Sequence, residues 1–386
     1  MKLMFDASEL TPDSGKSLGI YRYARGLVTE MSRQLADGDQ LVVVCNGDNE
    51  KDFAGAAASK GVTLHRIAPT MPGHLWRQGW MRGGCALWAR RHGVDAYLSP
   101  KGFVPRRLCW PAGVPRVAVV HDLIPFWYFS RQPGYFGRLE TWLVGSAFRN
   151  TFAQADHVVA ISAQTRRDLL GAGLNPKRVS VVLNGVDESG DVPASRQNLP
   201  PALGGRPFIF AMASSLPHKN LGGVLRAYQA YRDLAGAAAL PLALCGTSDA
   251  SQPGVLAVGR VTDAELQALY ANAELFMFLP LIEGFGYPPV EALRMGTPVI
   301  CSDIGVLEEA AGDAATYVPP EQPDKVAQAM FQVLSQGVSA DQRSALQSAT
   351  QARIRGCLSW KACAKGVWNV IRSEVAQSER QNRRRA

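Results

Sequence analysis

The sequence has few charged residues, no long apolar run and no leader-like start, and each shortage excludes a class of protein. Charged residues make up 19% of the 386 residues and hydrophobic residues 47%, which excludes a disordered chain and allows large buried cores. No apolar run approaches the roughly 18 residues of a membrane-spanning helix. An acidic residue, Asp6, comes too early for a signal peptide, so we expect a cytoplasmic protein.

Cysteine is scarce and scattered. The chain has seven cysteines, an odd number, with no C-x-x-C pair and no histidine at metal-ligand spacing from a cysteine pair. A disulfide framework and a zinc site are therefore not expected. The segment Asp37-Gly38-Asp39 has the D-x-D form of metal-dependent sugar transferases, but it lies between a helix end and a strand start, where a turn explains it. We expect no bound metal.

Acidic residues are outnumbered, and the basic excess is unevenly placed. Lys and Arg number 41 against 33 Asp and Glu, a net charge of +8, which indicates an anionic partner such as nucleic acid, a membrane surface or a phosphorylated ligand. Residues 60–116 hold ten basic residues, one acid and four of the eight tryptophans. This mixture suits a face lying on an anionic bilayer; its candidate residues are Trp76, Arg77, Trp80, Arg82, Arg90, Arg91, Arg106 and Arg107. The alternative is a core helix with a solvated basic face.

Strand-like and helix-like segments alternate along the chain. A strand over residues 1–6 is followed by a helix with apolar residues at helical spacing and by a solid apolar strand at Leu41–Cys45. Residues 188–206, rich in Pro, Gly and polar residues, are the best linker. We therefore predict an α/β protein of two domains, residues 1–190 and 191–360, each with a doubly wound parallel sheet, facing an interdomain cleft. The strands predicted for the second domain are Phe208–Met212, Leu242–Cys245, Leu275–Leu279 and Val299–Cys301.

The segment from Glu283 to Glu291 is the most informative one. It follows the predicted strand Leu275–Leu279, and Gly284 and Gly286 free its backbone to turn tightly and approach a ligand. Two prolines then suit the start of a helix, which predicts Glu291 in the first turn, where free amides can hold a phosphate. The two carboxylates can accept hydrogen bonds from sugar and ribose hydroxyls. Alternatively, Glu291 only complements the helix dipole and Glu283 is an ordinary loop residue.

A second segment, Ser214–Asn220, places Lys219 between a strand end and a helix start. A lysine and free amides there can share a diphosphate. The alternative is a solvated surface lysine.

Two segments of the first half have weaker signals. Gly15–Gly19 lies where a phosphate-cradling loop would lie, although no G-x-G-x-x-G is present and a plain flexible loop explains it equally well. His121 and Asp122 emerge at the carboxyl end of the apolar run Val117–Val120, where a ligand would bind. Alternatively, the two residues only cap the following turn.

Taken together, these segments resemble the retaining glycosyltransferases of family 4, which have the GT-B fold. Glu283–Glu291 is similar to their E-x7-E element and Ser214–Asn220 to the segment that carries their phosphate-binding lysine. Asn184–Asp187 resembles their strand-ending N-G-V-D, and Gly19–Tyr23 and His121–Leu123 resemble signatures of their N-terminal domain. The similarity spans most of the chain. Many members have an arginine where this chain has Ser214, which leaves more of the diphosphate charge to Lys219.

The resemblance implies a role for each domain. The C-terminal domain would bind a nucleotide sugar and the N-terminal domain an acceptor, with a helix at about 361–386 packing back onto the N-terminal domain. His121, Lys219 and Glu283 are the implied catalytic residues, and His121 would stand beside the transferred sugar. The implied donor-binding residues are Gly15, Gly19, Ser214, Lys219, Asn220, Val261, Thr262, Glu283, Gly284, Phe285, Gly286 and Glu291.

The resemblance also implies an activity and partners. We expect transfer of a hexose from a nucleotide sugar, GDP-mannose or a related rhamnose donor, without a metal cofactor. The expected acceptor is a polyprenyl-diphosphate-linked or other lipid-linked saccharide of O-antigen or exopolysaccharide synthesis, used at the inner face of the plasma membrane. The alternatives are another GT-B enzyme, such as a nucleotide-sugar epimerase or a phosphorylase, and a basic nucleic-acid-binding protein, for which no motif is present.

Overall fold

The computed structural model describes residues 1–12, 18–68, 70, 73–106, 110–187, 195–248 and 251–384. The chain divides into two compact units. Unit 1 is formed by residues 1–186 together with 358–386, and unit 2 by residues 187–357. Each unit is built around its own parallel sheet, which confirms the predicted α/β class.

Unit 1 contains a seven-stranded sheet of order β3-β2-β1-β4-β5-β6-β7. Its strands are β1 Lys2–Asp6, β2 Gln40–Asn46, β3 Val62–Ala68, β4 Ala96–Ser99, β5 Arg116–Val120, β6 His157–Ala160 and β7 Val179–Val181. The helices between them are α1 Leu18–Arg33, α2 Glu50–Ala57, α3 His74–Gly79, α4 Cys85–Arg91, α5 Ile124–Arg131, α6 Arg138–Gln154 and α7 Ala163–Gly171. A π-helical turn, Trp80–Gly84, joins α3 to α4.

The strands of unit 1 form because their sequences are apolar on both faces. In β2 every residue from Leu41 to Asn46 is buried, as expected for a central strand of a parallel sheet covered on both sides. Along α1 the buried residues include Tyr23, Leu27 and Met31, which recur at helical spacing and confirm the predicted helix. After α1 the chain turns at Gly38, with a φ of 83°, as predicted for the Asp37-Gly38-Asp39 segment.

Unit 2 contains a six-stranded sheet of order β10-β9-β8-β11-β12-β13. Its strands are β8 Ile209–Met212, β9 Leu242–Cys245, β10 Val255–Gly259, β11 Leu275–Phe278, β12 Val299–Ser302 and β13 Thr316–Val318. Its helices are α8 Leu221–Ala235, α9 Asp263–Asn272, α10 Tyr287–Arg294, α11 Gly305–Ala311, α12 Pro323–Gln336 and α13 Ala340–Cys357. The four strands predicted here are confirmed to within one residue at each end.

The last helix, α14 Trp360–Arg383, belongs to unit 1. Its first residue, Trp360, lies against the backbone of two glycines, since a Cβ on Gly26 would lie 2.3 Å from the indole and one on Gly185 would lie 2.2 Å from it. Further along, Trp368 is 1% exposed and its indole N–H donates to the carbonyl of Met31 at 3.3 Å. The two glycines are therefore needed for the close approach of α14.

Within the described residues, no helix is both long enough and apolar enough to cross a membrane. The same residues contain no group of three or more His, Cys, Asp or Glu side chains that could hold a metal ion.

Candidate functional site

Two central strands of unit 2 bring the predicted donor-site segments together. β8 and β11 are parallel neighbours, and the strand order runs from them in opposite directions, to β9 and β10 on one side and to β12 and β13 on the other. Open α/β sheets bind ligands at the carboxyl ends of strands at such a switch point. Lys219 follows β8 and Glu283 follows β11, so both residues lie there.

Lys219 and Glu283 contact one another directly. Nζ of Lys219 donates a hydrogen bond to Oε2 of Glu283 at 2.6 Å, with 27% and 17% of the two side chains exposed. The same Nζ lies 5.7 Å from the centre of the Phe278 ring at the end of β11. A charge-assisted contact of this length fixes the orientation of both groups. The sequence predicted both residues for the site but not their contact.

Asn220 holds the backbone that presents Lys219. Among the described residues it is the one non-glycine residue with a positive φ, 55°, which asparagine tolerates better than most residues. Its Oδ1 accepts from the amide of Gly223 at 3.2 Å and caps α8, while Nδ2 donates to the carbonyls of Leu279 at 3.0 Å and Pro320 at 3.2 Å. The structure therefore gives the Asn220 side chain, predicted to bind the donor, a positioning role.

His218 precedes Lys219 and is 7% exposed. Burial lowers its pKa to about 4, and the positive charge of Lys219 adds to this shift. Its carbonyl accepts a hydrogen bond from the amide of Leu281 at 2.8 Å, which ties the segment after β8 to the segment after β11. His218 is therefore neutral at pH 7 and adds no charge beside Lys219.

The loop after Glu283 needs its second glycine for two reasons. Gly286 has a φ of 105°, and a Cβ there would lie 2.5 Å from Cδ2 of Leu307. The neighbouring Phe285 is 4% exposed, and its ring packs edge-on against Tyr287 at 4.8 Å. Phe285 can therefore offer a ligand its backbone but not its ring.

Helix α10 begins at Tyr287, one residue before the two prolines that were expected to open it. Glu291 is therefore its fifth residue, and the prediction that Glu291 lies in the first turn is wrong. The helix starts earlier because Pro288 and Pro289 both fit inside the first turn, whose amides have no intrahelical acceptors to lose. Glu291 is partly buried and lies one turn behind the helix start.

Two of the predicted donor-binding residues, Val261 and Thr262, lie after β10. Thr262 caps α9: its hydroxyl accepts from the amide of Glu265 at 3.3 Å, and the Glu265 carboxylate accepts from the amide of Thr262 at 2.7 Å. The hydrogen bonds that the amide and the hydroxyl of Thr262 donate to the Glu265 carboxylate lower the pKa of Glu265. Val261 is half-buried against the core of unit 2, and Ser214 is half-buried after β8. The Thr262 side chain is thus a helix cap in this structure.

His121 lies at the carboxyl end of β5 in unit 1. It is 8% exposed, its ring packs edge-on against Tyr23 at 4.8 Å, and its Nε2 lies 2.7 Å from the carbonyl oxygen of Pro100. Because a carbonyl can only accept, Nε2 carries the proton and Nδ1 does not. Burial lowers the pKa of His121 to about 4, although the bond to Pro100 opposes the shift. His121 is therefore neutral at pH 7 in a fixed tautomer.

Unit 1 has a switch point of its own, between β1 and β4, which the sequence did not reveal. Glu9 follows β1 and Lys101 follows β4, and Nζ of Lys101 donates to Oε2 of Glu9 at 3.3 Å. Beside this pair the buried carboxylate of Asp6 accepts hydrogen bonds from the Trp80 indole at 2.8 Å and the Tyr97 hydroxyl at 3.0 Å. β4 reads Ala-Tyr-Leu-Ser, which ends in a polar residue and has no β-branched side chain, so it was not predicted as a strand and Lys101 could not be placed.

The ion pair lines a small pocket at this point, here called the switch-point pocket. Its lining includes Glu9, Ser99, Lys101 and Phe103. All four follow β1 or lie at the end of β4 or beyond it, so they occupy the edge of the sheet where ligands bind.

The prediction that residues Gly15–Gly19 form a loop is wrong for Gly19. Gly19 lies in the first turn of α1, which begins at Leu18, and not in a loop. Gly15 lies outside the described residues.

The tryptophans of the predicted membrane face are largely core residues. Trp80 is 8% exposed and packs within the core of unit 1, so assigning it to that face is wrong. Trp76 is half-buried, stacks on Trp80 at 5.6 Å and packs against the same core. Their large apolar rings are buried because α3 and the π-helical turn cover that core, and Asp6 satisfies the Trp80 indole.

The basic residues of that face differ in exposure. Arg77 is half-buried, and Arg107 lies outside the described residues. The exposed ones are Arg82, Arg90, Arg91 and Arg106.

Two family models match the chain. One, described as Glycosyltransferase Family 4, matches residues 19–189, and the other, described as Glycosyl transferases group 1, matches residues 207–336. The two matches fall on unit 1 and unit 2 respectively.

Relatives and solved structures agree with these matches. The chain is 27% identical to the O-antigen chain mannosyltransferase RfbU of Salmonella typhimurium, over 52% of this chain and 56% of that protein. It is 25% identical to the O-antigen chain mannosyltransferase B of Escherichia coli, over 74% of this chain and 76% of that protein. The chain thus spans little more than half of the Salmonella relative. The Anabaena protein Alr3699/HepE, solved with UDP and glucose, superposes with a TM-score of 0.66 at 16% identity, over 97% of this chain and 100% of that one. At that identity the likeness shows the fold alone, and it confirms the predicted GT-B fold.

Proposed function

We propose that this chain, which has the GT-B fold and whose two units match a family 4 and a group 1 glycosyltransferase model, transfers mannose from GDP-mannose to a growing lipid-linked saccharide. The observation that carries the proposal is the Lys219–Glu283 pair at the switch point of unit 2. It puts a cation for the diphosphate and a carboxylate for the sugar side by side where such sheets bind ligands.

In this proposal Lys219 binds the diphosphate of the donor. It stabilises the negative charge that develops as the bond between the anomeric carbon and the diphosphate oxygen breaks. The backbone amides of Phe285, Gly286 and Tyr287 are proposed to add hydrogen bonds, since the two prolines in the first turn of α10 have no N–H to donate. Glu283 accepts hydrogen bonds from hydroxyls of the transferred sugar, and its contact with Lys219 keeps both groups in place. Because the lysine and the amides supply the positive charge, we propose that transfer needs no metal.

The nucleoside lies against the remaining residues of unit 2 in this proposal. Glu291 accepts hydrogen bonds from the ribose hydroxyls, and the base lies beside Val261 and the backbone of Thr262. Val261 is half-buried against the core of unit 2, so its side chain can offer the base a fixed apolar surface.

His121 acts in this proposal as a neutral hydrogen-bond acceptor beside the transferred sugar. Its Nε2–H is committed to Pro100, so Nδ1 is left as an acceptor for a sugar hydroxyl. A pKa of about 4 means that it does not serve as a proton donor at pH 7. We propose retention of configuration at the anomeric carbon, by the resemblance to family 4 enzymes, and assign no protein nucleophile.

The switch-point pocket has a volume of only about 10 Å³, so the saccharide end of the acceptor is proposed to bind at the mouth of this pocket in unit 1. Glu9 and Lys101 supply an acceptor and a donor for sugar hydroxyls, and Ser99 supplies a hydroxyl. Their place at the carboxyl ends of β1 and β4 supports this, because it is the ligand-binding edge of the sheet.

A thermal-shift comparison of GDP, UDP, dTDP and ADP tests the donor. A nucleotide at 100 times its dissociation constant stabilises the protein by about 2.7 kcal/mol. We expect GDP to shift the melting temperature and the other three to do so weakly. A shift with UDP alone would overturn the choice of GDP-mannose. Product analysis with GDP-mannose and a lipid-linked acceptor tests the reaction, and an epimerised nucleotide sugar or mannose phosphate as the product would overturn it.

We further propose that unit 1 lies on the inner face of the plasma membrane through an exposed basic surface. Arg82, Arg90 and Arg91 are exposed, and exposed apolar side chains accompany them, with Leu75 at 87% and Leu87 at 49%. Co-sedimentation with vesicles tests this, because equal binding to neutral and anionic vesicles would contradict an electrostatic contact.

A further inference from the structure

Unit 1 holds a pocket that none of the proposed catalytic residues lines. It lies between α5 and α6 and has a volume of about 450 Å³, within the range of small-molecule sites. Four aromatic rings and two guanidinium groups dominate its lining, from Phe126, Phe129, Phe136, Trp142, Arg138 and Arg149. We call it the α5–α6 pocket.

The floor of this pocket is packed onto the core of unit 1. Phe126 lies edge-on against Phe148, with ring centres 5.2 Å apart, and Phe148 is 6% exposed. Phe129 in turn lies edge-on against Phe136 at 6.0 Å. Rings held in this way keep their positions without a ligand, so the pocket is preformed and binding needs little ordering of side chains.

The rim of the pocket is apolar and exposed. Trp142 is 60% exposed, the adjacent Leu139 is 70% exposed and Tyr135 is 43% exposed. Large apolar side chains grouped on a surface mark a site of contact with an apolar partner. The same hairpin, residues 124–154, contains three arginines and a single acid, Glu140. The pocket is therefore suited to a ligand with an apolar body and an anionic end.

A line of aromatic rings joins this pocket to the switch-point pocket. Phe103, which lines the switch-point pocket, lies edge-on against Phe148 at 5.3 Å, and Phe148 contacts Phe126 of the α5–α6 pocket. One ring, Phe148, thus separates the proposed saccharide position from the apolar pocket.

We propose that the α5–α6 pocket binds the isoprenoid chain of a polyprenyl-diphosphate-linked acceptor, with Arg138 and Arg149 at the diphosphate. A chain suits the lining better than a second sugar, because three of its four aromatic rings are phenylalanines, which have no hydrogen-bonding groups. A single chain also fits a concave pocket better than the flat surface of a bilayer would. The inference rests on the proposed function for the identity of the carrier.

Gly145 allows the pocket to be filled by a side chain of helix α6. It lies in α6 and lines the pocket, and a Cβ built on it would meet within 4 Å only the guanidinium end of Arg149, 3.2 Å away at Nη1. Gly145→Leu therefore places a side chain in the pocket while the flexible arginine moves aside. Gly55→Leu is the matched control, since Gly55 lies inside helix α2 with no atom within 4 Å of its Cβ position.

The probe is farnesyl diphosphate, a short isoprenoid diphosphate, titrated into the full-length protein by calorimetry with saturating GDP to occupy the donor site. We expect binding, with affinity at least about tenfold weaker in Gly145→Leu and in Trp142→Ala, and unchanged in Gly55→Leu. Trp142→Ala removes an exposed side chain, so it remains informative if Gly145→Leu does not fold. Inorganic diphosphate is expected to bind at least about tenfold more weakly than farnesyl diphosphate.

Three results would overturn the proposal. The first is that farnesyl diphosphate does not bind to the wild-type protein, and the second is that it binds to the wild type and to Trp142→Ala with equal affinity. The third is that inorganic diphosphate binds as tightly as farnesyl diphosphate. Loss of binding to anionic vesicles by Trp142→Ala with unchanged affinity for farnesyl diphosphate would assign the surface to a membrane instead. The GDP-induced thermal shift is read separately. If it persists while farnesyl diphosphate fails to bind, the pocket assignment fails and the proposed donor chemistry stands.

Discussion

Replacing Lys219 by methionine removes its positive charge while keeping most of the length of the side chain. In the wild type its ammonium group lies 2.6 Å from Glu283, and 27% and 17% of the two side chains are exposed. A hydrogen bond to a charged group is worth about 1.5–3 kcal/mol. Because water reaches both side chains, we expect Lys219→Met to cost about 2 kcal/mol, which lowers the melting temperature by about 4–8 °C.

The effect on transfer is expected to be much larger than the effect on stability. If Lys219 stabilises the departing diphosphate, its loss removes an interaction made with developing charge, and kcat should fall by about 10²–10³. Glu283→Gln should also lower kcat. The double variant should lose little more than the worse single variant, because residues that act as a unit are not additive.

Arg343→Met is the matched control. Nη2 of Arg343 donates to Oε2 of Glu274 at 2.7 Å, with 24% and 38% of the two side chains exposed, and Glu274 precedes β11 at the opposite end of the strand from the site. This variant should lose comparable stability and retain full transfer. The measurements are melting curves and initial rates at saturating donor. A Lys219→Met rate within threefold of the wild type, or a loss no greater than that of Arg343→Met, would refute the reasoning.

Three further outcomes follow from the geometry. Asn220→Ala should lower the free energy of unfolding by about 1–3 kcal/mol, because it removes the cap of α8 and puts alanine at a φ of 55°. Asn220→Gly should lower it by less, and equal melting temperatures for the two variants would contradict this. Gly286→Ala should weaken GDP binding and lower stability, and its cost in stability should be smaller in a Leu307→Ala background, where the clash at 2.5 Å is absent; an equal cost of Gly286→Ala in both backgrounds would show that the clash is not the cause. Burial lowers the pKa of His121 from 6.5 to about 4, so the unfolded chain takes up a proton first as the pH falls. The free energy of unfolding is therefore highest above pH 6.5 and falls by about 2 kcal/mol between pH 7 and pH 5. Denaturant titrations at the two pH values should show a smaller fall in His121→Asn.

The central strands and the glycine-rich loop could be predicted because local sequence alone determines them. β9 reads as a short apolar run, and its predicted bounds, Leu242–Cys245, are the observed ones. Gly286 was singled out because a tight turn next to a ligand needs glycine, and the structure gives it a positive φ. Such features depend on a few neighbouring residues.

The contacts that define the site could not be predicted, because they join residues far apart in sequence. The Lys219–Glu283 pair depends on β8 and β11 being neighbours, and the Glu9–Lys101 pair on β1 and β4 being neighbours. The prediction that Trp80 lies on a membrane face was wrong for a related reason. Composition places Trp80 among arginines, but only the fold shows that its ring is inside and its indole bonded to Asp6.

The chain passes between the units at two adjacent points, and this has a consequence for deletions. Val186 and Leu358 are the residues of unit 1 that flank unit 2, and the amide of Val186 donates to the carbonyl of Leu358 at 2.7 Å. The chain therefore leaves unit 1 and returns to it at one place. Unit 2 is in effect an insert with neighbouring ends, which can be excised as one continuous stretch. Loss of the last 27 residues would, by contrast, strip Trp360 and Trp368 from unit 1. A late stop codon would therefore damage unit 1 and leave unit 2 whole.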